Sequence, residues 1–99
     1  MQNRTDPSPC FRASDSFVSR RIGDEILLVP IRQHGAELHN IVRLNDVAAF
    51  IWERLDGSTS CTALTMAIVG HYLVDEAEAA ADLAALLDQL RAIDAIEAV

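Results

Sequence analysis

The chain has 99 residues, about half of them apolar and 23% charged, which suits one globular domain with a single core and excludes fibrous and wholly disordered classes. No stretch of roughly 18 uncharged apolar residues offers a membrane span. The net charge of −7 is uneven: residues 1–45 hold six Arg against five Asp and Glu, whereas residues 46–99 hold two Arg against ten acids, so the C-terminal half should repel nucleic-acid phosphates and anionic lipid.

Residues 1–14, with Asn, Thr, Ser, Asp, two prolines and Phe11 as the only large apolar group, are expected to form a flexible tail ahead of one domain over 15–99. The tail carries Arg but no apolar core of a signal peptide, so the expected location is cytoplasmic. Cys10 and Cys61 lack C-x-x-C spacing or a second Cys/His pair, which points to plain thiols rather than a disulfide framework or a zinc site. From Phe17 the pattern becomes strand-like: "FVSRRI", then "EILLVPI" after Gly23-Asp24, then "ELHNIVRLN" after "RQHGA". Three short antiparallel strands follow, with Gly23 and Gly35 as the turn residues that reach positive φ cheaply. Pro30 cannot donate to a ladder and belongs near a strand end or bulge.

After Asn45 the period changes and three helices are placed by their caps. Asn45 caps the first, about 46–55, with Asp46 in its first turn and Gly57 as the residue that ends it. Nearly every position between these signals is apolar, so the helix should lie centrally, against helices two and three on one side and the sheet on the other; Trp52 reads as core packing rather than as a ligand contact. Thr59 or Ser60 caps "CTALTMAIVGHYL", and Asp75 with Glu78 forms a capping-box pattern that opens helix three, 76–92. The order βββααα, without internal repeat or long linker, gives one α+β domain with a three-stranded antiparallel sheet followed by three helices.

"VRLNDVAAFIWERLDG", preceded by "RRIGDEILLVPI" and followed by "STSCTALTMAIVGHYLVDEAEAAADLAALLDQLRAIDAI", resembles the PqqD family over about residues 15–96. The sharpest points are Leu44-Asn45 before the first helix, Ile51-Trp52 within it, Leu55-Asp56-Gly57 closing it, and Asp82, Leu83 and Leu90 in the last helix. The resemblance implies a winged helix-turn-helix-like domain without catalysis or cofactor of its own, a recognition element for ribosomally made, modified peptides. It implies that the leader segment of a precursor lies along strand three, in the groove between that strand and the last helix, and is presented to a modifying enzyme, often a radical S-adenosylmethionine protein. Carried onto this chain, the peptide-binding residues are His39, Asn40, Ile41, Val42, Arg43 and Leu44 on the strand, with Ala80, Leu83, Ala84, Leu87 and Arg91 on the helix. The branch that makes pyrroloquinoline quinone has a Pro-Glu-Gly-like stretch before strand three where this chain has Gly35-Ala36-Glu37, and Trp52 is more similar to relatives in other peptide-modifying pathways.

The residues read without the family agree in part. A three-stranded sheet has two edges, and an unpaired edge accepts an added strand or a second copy of the chain, so a homodimer is also open. In strand three Leu38, Asn40, Val42 and Leu44 alternate with His39, Ile41 and Arg43; Arg43 and His39 serve either selectivity or plain solvation. Leu86, Leu90 and Ile93 are expected to fill the core, leaving the alanines of helix three either as a smooth surface for a passing backbone or as ordinary helix formers. Three other functions are weighed beside this one. A winged-helix DNA-binding regulator would read bases with "CTALTMAIVGHYL", which has no Arg or Lys. An interaction subunit of another complex would use the same edge. A small enzyme is disfavoured because Cys61 and His71 lie about 15 Å apart along one helix, and His34, His39 and His71 lack metal-ligand spacing.

Overall fold

The computed structural model describes residues 8–31 and 41–99. Its elements run β1 (Cys10–Ala13), β2 (Phe17–Ile22), β3 (Glu25–Pro30), β4 (Val42–Leu44), α1 (Asp46–Trp52), β5 (Asp56–Ser60), α2 (Cys61–Tyr72), α3 (Glu76–Ala92) and β6 (Ile96–Ala98). The expected α+β organisation holds: an antiparallel sheet in the order β2-β3-β4 and three helices.

Gly23, at φ 64°, occupies the first central position of a two-residue turn closed by the Ile22–Glu25 pair, the backbone shape that favours glycine there. This turn also decides which way the backbone of the sheet faces. The closing pair of a two-residue hairpin exchanges both its hydrogen bonds, so Glu25, Leu27 and Val29 bond towards β2 and the alternate residues Ile26 and Leu28 bond towards β4. Their partners are Leu44 and Val42, so Arg43 between them turns its N–H and C=O away from β3. Among the described residues β4 is an edge strand. The last expected strand, taken over 39–44, is seen as Val42–Leu44; Gly35, His39 and Asn40 lie outside the described residues.

On the inner face of the sheet Ile26 and Leu44 are buried and Leu28 is 0% exposed. They meet Ile51, Leu64, Ile68 and Leu90 from the helices in a single cluster, where each such side chain gains about 1.5–3 kcal/mol from leaving water. The helix starts are capped much as the sequence predicts: Asn45 Oδ1 accepts from the Ala48 N–H at 2.9 Å, Ser60 Oγ from Ala63 at 3.1 Å, and Asp75 Oδ1 from Glu78 at 2.8 Å.

Three expectations are corrected. The tail read over 1–14 contains β1, the central strand of a second sheet ordered β5-β1-β6, and Phe11 within it is 4% exposed with the Arg91 guanidinium 5.5 Å from its ring centroid. Helix one stops at Trp52 rather than 55, and "DGSTS", read as a helix end and connection, is β5: the Asp56 carboxylate accepts from the Ser58 and Thr59 N–H groups at 2.8 and 3.0 Å, and these bonds hold its pKa below the usual carboxylate value. Gly57 therefore serves a strand, not a helix cap. At φ 83° a Cβ there would lie 3.3 Å from Val99 Cγ2, the residue after β6. The third correction concerns the neighbours of α1, which packs chiefly on β3, β4 and α2, with a groove on its α3 side.

Candidate peptide-binding groove

Beside the β4 edge runs a groove whose two parts share Asn45, Ala48, Leu86 and Gln89. One part, about 330 Å³, lies between Val42–Asn45 of the strand side and Leu86, Leu90 and Ile93 of α3. The other, about 290 Å³, continues between α1, through Val47, Ala48 and Ile51, and the turns of α3 that carry Asp82 and Ala85. Strand period explains one wall. Val42 and Leu44 face inward and pack on the core, whereas the Arg43 side chain is 72% exposed on the other face, where its Nε donates to Glu25 Oε1 at 2.7 Å. The combination is an outward N–H and C=O at Arg43 above a floor of aliphatic side chains.

The helix face lining this groove is not the one the sequence singled out. Ala80, Leu83, Ala84 and Leu87 gather instead around a separate depression of about 320 Å³ against Cys61, Thr62 and Thr65 of α2, with Leu83 and Leu87 buried in the core. At about 100° per residue this face lies roughly 145° round the helix from Asp82, Leu86 and Gln89. Arg91 sits on the β1 side, over Phe11. Of the sequence-predicted site residues, Val42, Arg43 and Leu44 therefore come together at the groove and Ile41 immediately precedes them; the five helix positions do not. Leu86, Leu90 and Ile93 line the groove although the sequence reading assigns them to the core, and Gln89 beside them carries no sequence signal of its own. Leu86 and Leu90 are in the core and also form the groove floor, and Ile93 keeps 38% of its surface exposed.

A second cluster lies on another face of α1, where it meets α2. Arg54 lies 3.6 Å from the Phe50 ring centroid and His71 stacks on the same ring at 4.4 Å; the two cannot share one face without overlapping, so they sandwich it. The Tyr72 hydroxyl donates to the Asp46 carbonyl at 3.2 Å, and its pKa is raised, chiefly by burial and then by the Asp46 charge. Arg21 pairs with Glu53 nearby. Among the described residues no helix is long and apolar enough to cross a membrane, and no group of three His, Cys, Asp or Glu could hold a metal ion.

Fold and groove together define a class: a small α+β domain whose β4, an edge strand among the described residues, lies beside a helix-lined cleft. Residues 25–96 match the family described as coenzyme PQQ synthesis protein D, and the chain belongs to the PqqD family. Among solved structures it is similar to one described as "TbiB1 in Complex with the TbiA(beta) Leader Peptide", at 27% identity and a TM-score of 0.73, over 87% of this chain and 94% of that one. A comparison with curated proteins finds no match.

Proposed function

We propose that this chain captures the leader segment of a ribosomally made precursor peptide and presents it to a modifying enzyme. The segment adds as a strand to the edge of β4, hydrogen-bonding to the backbone of Arg43, while alternate side chains enter the groove over Leu86, Leu90 and Ile93. The observation that carries this reading is the coincidence of a strand that is an edge among the described residues with an apolar cleft, in a chain 27% identical to a protein solved with a leader peptide bound. The domain contributes binding and no chemical step of its own. Its partner enzyme is of the radical S-adenosylmethionine type, and a pathway other than pyrroloquinoline quinone is favoured by Gly35-Ala36-Glu37 and Trp52. The DNA-binding alternative finds no support in α2, which lacks Arg and Lys, or in residues 56–60, which form a strand where a helix-turn-helix needs its turn.

The test is calorimetric titration with the leader half and then the core half of a precursor encoded beside the chain. Micromolar binding confined to the leader half is expected. Binding confined to the core half, or to neither half of any neighbouring precursor, overturns the reading.

A further inference from the structure

The groove changes character along its length. At the Ile93 end its apolar walls are Val42, Leu44, Leu86, Leu90 and Ile93, with Asn45 and Gln89 where the two parts join. At the α1 end the floor stays apolar, with Ala48, Ile51 and Leu86, and the rim adds the carboxylate of Asp82, which lines this part alone. Asn45 is already engaged, its Oδ1 capping α1. Asp82 and Gln89 make no side-chain hydrogen bond or ion pair among the described residues. An unpaired carboxylate above an aliphatic floor is complementary to a side chain with a long apolar stem and a cationic head.

We infer that this end of the groove is a subsite for a basic side chain, Arg or Lys, of the bound peptide, with Asp82 as the residue that selects it. The inference rests on the peptide-capture reading above and adds a chemical requirement to it. The carboxylate of Asp82 takes the charge, and the stem lies on Ala48 and Leu86. Spacing follows from the helix. Asp82 and Leu90 are eight residues apart on α3, about 12 Å along its axis. An extended peptide covers that distance in about four residues at 3.3 Å each, and an even separation keeps both side chains on the helix side of the added strand. The preferred peptide therefore carries an aliphatic or aromatic anchor and a basic residue about four positions apart.

A displayed library of random 15-residue peptides, selected on the immobilised full chain, tests this. On the unchanged protein, enriched peptides should carry the anchor and an Arg or Lys four positions from it. On Asp82→Asn the basic position should lose its enrichment while the anchor keeps it, and on Asp82→Arg an acidic residue should replace it. In titrations of one selected peptide, Asp82→Asn should weaken binding by about 1.4-fold to fivefold, the range of an exposed ion pair. Asp88→Asn, on an exposed part of α3 away from the groove, should leave binding unchanged. Enrichment of the same peptides on wild type and Asp82→Asn, or of a neutral residue at that position, overturns the basic subsite and leaves peptide capture standing. Failure of any peptide to enrich on the unchanged protein overturns both.

Discussion

The placement of the groove on one face of α3 rather than the other is decided by a pair of substitutions. Ile93 lines the cleft with 38% of its surface still exposed, so a bound peptide has that fraction left to cover. Complete burial of an aliphatic side chain of this size is worth about 1.5–3 kcal/mol, so the uncovered part contributes about 0.6–1.1 kcal/mol to binding. Ile93→Ala should therefore raise the peptide Kd about threefold to sixfold. It also removes packing from the buried part of the side chain, so thermal unfolding must show that the variant is folded at the titration temperature. Ala84 is exposed in the depression against α2, and Ala84→Gln fills that depression without touching the groove. It should leave the Kd within about 1.5-fold of wild type, in keeping with surface changes away from a contact. Isothermal titration of both variants with one leader peptide gives the answer. A Kd that moves with Ala84→Gln and stays put with Ile93→Ala would place the peptide on the α2 side and refute its assignment to the cleft beside β4.

Three further outcomes are expected. Arg43→Pro removes the outward N–H of the edge and should weaken peptide binding about twofold to tenfold, whereas Arg43→Ala keeps that N–H and should change it little; equal effects in titration would show that the side chain, not the backbone, is read. Gly57→Ala, at φ 83° with a Cβ crowding Val99, should lose about 1–2 kcal/mol in denaturant unfolding, while Gly70→Ala, inside α2 with open space around it, should gain about 0.5–1 kcal/mol; the opposite signs would contradict the backbone assignments. Asp56 has a folded pKa below its ordinary value of 3.8, so its contribution to stability is complete above that value and is lost as pH falls through the lower, folded one. Unfolding midpoints measured between neutral and acidic pH should show a fall at the acid end that is smaller in Asp56→Asn.

Much of the fold was legible because local chemistry dictates it. Asn45, Ser60 and Asp75 announced the helix starts, and Gly23-Asp24 the hairpin, since each meets a backbone need within three or four residues. The second sheet was not legible. β1, β5 and β6 are three to five residues long and join the two ends of the chain to its middle, and "CFRA" and "DGSTS" carry no periodicity long enough to register. Likewise the two-residue period of strand three separates Val42 and Leu44 from Arg43 by face, but it does not say which backbone groups are free. That follows only from the turn at Gly23 and the register of β3 against both neighbours.

The excess of apolar residues in α1 bears on the same point. A helix apolar on so many sides reads as wholly buried, yet in this seven-residue element only Ala49, Ile51 and Trp52 are buried. Val47 and Ala48 are half-buried and form a wall of the groove, and Phe50 lies between Arg54 and His71 on another face of the helix. Surplus hydrophobicity in so short a helix thus divides three ways: core, cleft wall and aromatic stack. Because Ile51 belongs to both core and cleft, and Leu86 and Leu90 of α3 do as well, the cleft cannot change shape without disturbing the core beneath it. A peptide that adds to β4 therefore meets a preformed surface, and the energy of contact is not spent on ordering the side chains that line it.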